Sequence, residues 1–369
     1  MRVAFMHRQL AGGGTEADLL RMAEGLAARG HELHLFCARP EQAPPGLRVH
    51  RVPVLRAGRL PRLLSFALAA PRMAERQRFD LVVGFGRTVR QDVVRVGGGT
   101  HRRYLAAMES AGMRGRVHGP YHRAILWLER RMFAPAGHRC VLAVSRRAAA
   151  EVQADYGVAS DRLRVVYNGV DAVRFHPGLR AANGPGLRAA LGMAATDVAC
   201  VAVGSGFHRK GFDLLLRLWR EHPPRGHLVI VGRDERLATF RREAARLGGT
   251  VHVLGPRDDV PALMAAADVA CVPSRQEAFG NVALEAMASG TPVVTSRLVG
   301  AAEVIEAPLD ALIVDAPDDL AALRGALERA LGHEHATFAA AARAQAEARP
   351  WSRHVDEIEG LFTEYARGG

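Results

Sequence analysis

The chain reads as an α/β protein built from two doubly wound, mostly parallel sheets. Three observations say so. At 369 residues it exceeds one ordinary core, and two domains of roughly 150–200 residues follow. Short, nearly continuous apolar runs alternate with longer helical patterns from end to end, as strands buried on both faces require. A stretch rich in Gly, Pro and Asn, VVYNGVDAVRFHPGLRAANGPG (165–186), reads as a loop and interrupts that alternation midway.

The elements follow in order. The first half gives the strand VAFMH (3–7), a helix over 15–29 ending at Gly30, and ELHLF (32–36). LRVHRVPV (47–54), FDLVVGF (79–85), VVRVGG (93–98) and RCVLAVS (139–145) come next as strands. The second half gives DVACVAVGSG (197–206), HLVIVG (227–232), TVHVLG (250–255), DVACVPS (268–274), TPVVTS (291–296) and ALIVD (311–315). These series place one domain at 1–168 and a second at 169–350. The last helix, 351–366, sets Val355, Ile358, Leu361, Phe362 and Tyr365 on one face and is long enough to cross back onto the first domain. Ligands of such sheets lie beyond the carboxyl ends of the strands, so the site is expected in a cleft between facing domains.

Composition narrows the partners. Apolar residues make up 49% and aromatics 6%, so the cores are written in Ala, Val and Leu. The net charge of +12 favours anionic partners: nucleotides, phosphorylated glycans, an anionic membrane face or nucleic acid. No aromatic-interleaved stacking surface or recognition motif supports nucleic acid. Cys37, Cys140, Cys200 and Cys271 each sit in an apolar run and none forms CxxC, which suits reduced, buried thiols of a cytoplasmic protein. MRVAFMH at the start lacks the apolar core of a signal peptide, and no run approaches the ~18 apolar residues of a membrane span.

Three stretches carry chemistry. In SRQEAFGNVALEAMASGTPVV (274–294) a strand ends at Pro273, a loop carries Glu277, and a helix starts near Gly280 and ends at Gly290. The backbone N–H groups of a helix start bind phosphate, and Glu285 follows on the same edge. Two carboxylates eight residues apart would flank that phosphate; the alternative is simple compensation of the helix dipole. GSGFHRKGFDLLL (204–216) holds Arg209 and Lys210, then a helix begun by Gly211 with Asp213 in its first turn. Of fifty basic residues Lys210 is the one lysine, and the other 49 are arginine. The spacing is neither a Walker loop nor GxGxxG. Adjacent Arg and Lys would neutralise a diphosphate, or form a solvated pair. LAGGGTEADLL (10–20) is the matching turn of the first domain. Gly12, Gly13 and Gly14 allow close approach of a ligand to the backbone, or Thr15 simply caps a helix.

In this order and at these separations, GGGTEAD, GSGFHRKGFD and SRQEAFGNVALEAMASGTPVV resemble retaining nucleotide-sugar glycosyltransferases of family 4, whose GT-B fold pairs two Rossmann-like domains. The resemblance spans almost the whole chain, including NGVD (168–171), and Glu277-x7-Glu285 is its specific part. RKG, RDDVPALMAAADV (257–269) and QDVVRVGGGTHRRYL (91–105) are similar to the lipopolysaccharide core glucosyltransferases that extend inner-core heptose.

The resemblance implies roles. Arg209 and Lys210, after the turn of Gly204 and Ser205, would contact the donor diphosphate, with the backbone of Gly13 or Gly14 closing from the other domain. Glu277 would bind donor-sugar hydroxyls, and the N–H groups of Ala278, Phe279, Gly280, Asn281 and Val282 would hold the sugar and phosphates. Glu285 would bind the ribose, Arg257 would sit where the base is read, and His101 would reach the donor sugar; Asp18, one turn into the first helix, would reach the acceptor or the sugar, or stand as a surface acid. No cofactor is implied. The co-substrate would be a nucleotide sugar such as UDP-glucose, and the acceptor a lipid-linked or phosphorylated cell-envelope glycan such as lipopolysaccharide core. No Asp-x-Asp closes a strand, and the acids of RDDV (257–260) and APDDL (316–320) read as helix starts, so no metal site is expected. The alternative is a sugar-nucleotide epimerase or hydrolase of the same architecture.

Residues 101–136 are strongly basic: Arg102, Arg103, Arg114, Arg116, Arg123, Arg130 and Arg131 face only Glu109 and Glu129. Within them, YHRAILWLERRMF (121–133) sets Tyr121, Ile125, Leu128 and Met132 on one helical face with Trp127 at its flank. Such a helix can lie on the anionic cytoplasmic face of a membrane, or pack on its own sheet. A second segment, 56–78, reads as core.

Overall fold

The computed structural model describes residues 1–10, 12–40, 43–44, 46–110, 112, 119–194, 196–224 and 226–366. The chain divides into two compact units, Met1–Asn168 with Trp351–Gly369, and Gly169–Pro350. In chain order the first unit has β1 (Arg2–Met6), α1 (Gly14–Ala27), β2 (Glu32–Cys37), β3 (Arg48–Arg51), α2 (Arg59–Glu75), β4 (Leu81–Gly84), β5 (Val93–Val96), α3 (His101–Ser110), α4 (Pro120–Met132), β6 (Cys140–Ala143), α5 (Arg146–Tyr156) and β7 (Leu163–Val165). The second has α6 (Leu179–Ala190), β8 (Ala199–Val203), α7 (Phe212–Glu221), β9 (His227–Val231), α8 (Leu237–Ala245), β10 (Val251–Gly255), α9 (Val260–Ala266), β11 (Val269–Val272), α10 (Asn281–Ala288), β12 (Val293–Ser296), β13 (Ile313–Val314), α11 (Leu320–Ala330) and α12 (His335–Glu347). The last helix, α13 (Trp351–Tyr365), belongs to the first unit.

Each unit is one parallel sheet. The first runs β3-β2-β1-β4-β5-β6-β7 and the second β10-β9-β8-β11-β12-β13. The side-chain period of two sends alternate residues of β1 to opposite faces. Val3 and Phe5 meet Leu19, Met22 and Leu26 of α1 and Ile358 and Phe362 of α13. Ala4 and Met6 meet Phe36 and, from α2, Phe66 and Ala70. Both faces are therefore dry, which explains why the strands read as continuous apolar runs.

Several expectations need correction. The midchain stretch is not loop to its end, because 179–186 opens α6 with Pro185 inside it. Tertiary contacts override poor propensity there: Arg188 donates to the Ala266 carbonyl at 3.0 Å and pairs with Asp268 at 2.9 Å, and Arg180 donates to the Ala267 carbonyl at 2.8 Å. The strand expected over 47–54 stops at Arg51, since Pro53 has no N–H for a ladder and β3 is an edge. The opposite edge, β7, was not expected: three half-buried residues, LRV, carry too little apolar signal. All four cysteines are buried free thiols. Among the described residues no helix is long and apolar enough to cross a membrane.

Candidate active site

In the second unit, β8 runs into the turn 204–211 and β11 into the loop 273–280. Gly211 caps α7 at φ +73°, and a Cβ there would stand 2.1 Å from the Pro273 carbonyl oxygen, so the two turns touch backbone to backbone. That contact brings three sequence-predicted residues together. Arg209 Nη1 lies 2.7 Å and Lys210 Nζ 2.5 Å from the same oxygen, Glu277 Oε2. Arg209 also donates to the Gln276 carbonyl at 2.9 Å.

Burial alone would raise the Glu277 carboxyl; the Lys210 ammonium and Arg209 guanidinium override it and hold it down at about 2. Burial lowers the Lys210 ammonium below the ordinary lysine range, with Glu277 and, more weakly, Glu285 opposing. Lys210 is 7% exposed, and its stem runs against Gly204, where a Cβ would lie 2.9 Å from Lys210 Cε. Ser205 is exposed, and its carbonyl accepts from Arg209 Nη2 at 3.3 Å. Gly280 caps α10 at φ +92°, so the positive end of that helix opens beside Glu277. Ala278 and Phe279 are buried in the loop, Asn281 and Val282 form the first helical turn, and Glu285 lies a turn further on.

One residue here was missed. Arg275 forks onto Asp213 at 2.7 and 2.8 Å and donates to the His208 carbonyl at 2.6 Å, so it clamps the two turns. A pair 62 residues apart leaves no local sequence signal. Arg257 lies just beyond β10, half-exposed, in a bidentate pair with Asp259 at 2.8 and 2.6 Å. Asp319 caps α11, its side chain accepting from the Ala322 N–H; Asp259 precedes α9 without such a bond, its carboxylate going to Arg257.

The first unit has a cavity of about 350 Å³ beyond the carboxyl ends of β1, β4 and β5. Gly13 and Gly14 line it at the start of α1. Glu16 Oε2 accepts the Gly13 N–H at 2.6 Å at the start of that helix, so the alternative of a Thr15 cap does not hold. Asp18 is neither a surface acid nor a lining residue. It is 3% exposed and accepts from Arg95 Nη2 and Asn168 Nδ2, both at 3.1 Å. It thus fixes Arg95, which does line the cavity.

His101 opens α3 but does not line this cavity. Its ring stacks on Tyr104 and His122, with Nε2 2.9 Å from His122 Nδ1. Burial first, then Arg87 and His122, depress its pKa to about 3, so the ring is neutral.

Glu129, expected only to offset surface arginines, is 1% exposed. It accepts from Arg87 at 3.0 Å, from the His101 N–H at 2.7 Å and from Tyr156 Oη at 2.5 Å. The signal was present: Glu129 shares the apolar stripe of Ile125, Leu128 and Met132 on α4. The other face of α4 carries exposed Arg123, Arg130 and Arg131 and half-exposed Trp127, with Arg131 over the indole at 5.4 Å. Arg114 and Arg116 lie outside the described residues.

Residues 12–174 match the model of Glycosyltransferase Family 4, and residues 197–333 that of Glycosyl transferases group 1. A probable transglycosylase of Burkholderia thailandensis is 31% identical over 364 residues, 96% of this chain and 94% of that protein. The lipopolysaccharide glucosyltransferase WaaG of Escherichia coli K12 is 27% identical over 371 residues, covering 98% and 96%. A crystal structure of WaaG superposes with a TM-score of 0.80 at 25% identity, covering both chains fully at 100%. Anabaena HepE, solved with UDP-glucose, has the same fold with a TM-score of 0.77 at 20% identity, covering 99% and 100%. The chain belongs to the family 4 glycosyltransferases, and its two Rossmann-like domains have the GT-B fold.

Proposed function

We propose that the chain is a retaining, metal-independent hexosyltransferase that moves a glucose-type sugar from a UDP-sugar to a lipid-linked cell-envelope glycan such as lipopolysaccharide core. The observation that carries this reading is the convergence of Arg209, Lys210 and Glu277 at the positive end of α10. Two cations and a helix dipole are what a departing nucleoside diphosphate needs, and they serve most where charge develops as the sugar–oxygen bond breaks. Glu277, held ionised, accepts from sugar hydroxyls and fixes the sugar's orientation. The amides of Ala278, Phe279, Gly280, Asn281 and Val282 face the sugar and phosphates, Glu285 takes the ribose, and Arg257 stands by the base. The acceptor hydroxyl attacks on the face from which the nucleotide leaves, and a phosphate oxygen takes its proton, so the protein contributes position and electrostatics. The first-unit cavity with Arg87, Arg95 and Glu129 suits a polyol acceptor, since it offers fixed donors and acceptors. The outward face of α4 suits the anionic membrane surface that presents a lipid-linked acceptor.

The relatives that act on lipopolysaccharide or bind UDP-glucose support the choice of substrates. Glu277→Gln should keep UDP binding but lower sugar transfer at least about 100-fold, the range of one lost transition-state contact. Wild-type turnover in that variant, or rapid epimerisation of UDP-glucose by the wild-type chain without acceptor, would reject the proposal. Anomeric coupling in the product reads retention.

A further inference from the structure

A second cavity in the first unit, of about 710 Å³, is lined by five arginines and, among the described residues, by no carboxylate. Its construction follows from the sheet. Ala38 N–H donates to the Arg8 carbonyl at 3.1 Å and Leu10 N–H to the Arg39 carbonyl at 3.0 Å, so Arg8 and Arg39 leave β1 and β2 side by side. Arg51 ends β3, the next strand over. Arg56 lies in the connection to α2, and Arg62 in that helix's first turn. Three neighbouring strands therefore deliver an arginine to one hollow at their carboxyl ends, where doubly wound sheets bind ligands.

An arginine-rich composition does not account for this. In the adjoining cavity Arg87 pairs with Glu129 at 3.0 Å and Arg95 with Asp18 at 3.1 Å. Among the described residues, none of the five arginines of the larger cavity forms an ion pair. Like charges gathered in a concave surface focus a field that draws in polyanions. The guanidinium fork matches phosphate oxygens two at a time, and five forks exceed what one phosphate uses. Arg8 and Gln9 line both cavities, so the two adjoin.

We propose that this cavity binds phosphate groups, two or more on one molecule, carried by the acceptor glycan beside the sugar that receives the hexose. The inference rests on the glycosyltransfer reading above and adds the acceptor's chemical class. Inorganic tripolyphosphate is the probe, titrated calorimetrically into the full chain with UDP saturating the donor residues. Binding should weaken as salt rises, and be at least about tenfold weaker in the Arg39→Gln/Arg51→Gln/Arg56→Gln variant. All three side chains are exposed, so the fold should survive; should the triple variant not fold, Arg51→Gln alone supplies a smaller step in the same direction. Affinity equal to wild type in a folded variant overturns the proposal. Vesicles of phosphatidylglycerol and phosphatidylcholine separate the lipid source: loss of vesicle binding with tripolyphosphate binding intact overturns it too. A chain that binds tripolyphosphate through these arginines but not UDP would overturn the glycosyltransfer reading alone.

Discussion

Lys210 is the position at which the chain departs from its own habit of writing cations as arginine. Its stem lies against Gly204 and its ammonium shares one oxygen of Glu277 with Arg209. A guanidinium is broader and planar, unlike the compact ammonium held here between Gly204 and Glu277. Lys210→Arg should therefore lower transfer at least about tenfold despite keeping the charge, and Lys210→Ala further. The pH profile gives an independent readout. Because burial lowers the Lys210 pKa, the alkaline limb of kcat/KM should begin below the ordinary lysine range, and in residual Lys210→Arg activity that limb should move up. The carboxyl of Glu277, at about 2, should give no inflection near neutrality. Its contribution to stability is present above the ordinary value of 4.5 and is lost only as pH falls through about 2. Arg209, Lys210 and Glu277 were legible as motif residues. Their meeting on one oxygen was not, since 67 residues separate lysine from glutamate.

At the scale of elements, periodic apolar faces were readable and tertiary exceptions were not. The face of α13 follows from its spacing, and Val355, Ile358, Leu361 and Phe362 are buried as that spacing requires. The helix α6 was not readable, because Gly184 and Pro185 argue locally against a helix that distant carbonyls hold. Nor does a pattern say how closely two helices approach. In the first unit α1 meets α13 at Gly25, where a Cβ would stand 2.6 Å from Val355 Cγ2. Gly25→Ala should destabilise the chain by about 1–3 kcal/mol in denaturant unfolding, as an overpacked core does. Adding Val355→Ala should return part of that loss, a coupling that defines the contact. Additive losses in the double variant would mean that the helices meet elsewhere.

For the whole molecule, the two βα series and the motifs that carry Arg209, Lys210 and Glu277 in the second unit were legible. The cavities of the first unit were not, because their walls come from several strand ends and helices far apart in the chain, from His7 to Phe133 in one and from Arg8 to Arg62 in the other. The units also differ in how they meet acid. The first holds His101 and His354 buried, each depressed from 6.5 to about 3, chiefly by burial. His354 is 2% exposed, donates through Nδ1 to the Tyr167 carbonyl at 2.8 Å, and lies near the charge of Arg95. For a depressed histidine the stability is full above 6.5 and is lost as pH falls towards 3, at roughly 1.4 kcal/mol per pH unit once both states differ by a proton. In the second unit one histidine, His252, is also lowered, by burial and then by His227, while the other lowered groups include the carboxylates Glu277, Asp213 and Asp268, whose losses begin only below their ordinary values of 4.5 and 3.8. Between pH 7 and pH 5 the first unit should therefore soften ahead of the second. Calorimetry with UDP present should show its transition moving to lower temperature by more than that of the second unit. His354→Gln keeps a donor for the Tyr167 carbonyl but cannot titrate, so it should flatten the pH dependence of the first transition. A first transition equally steep in that variant would place the acid sensitivity on another group.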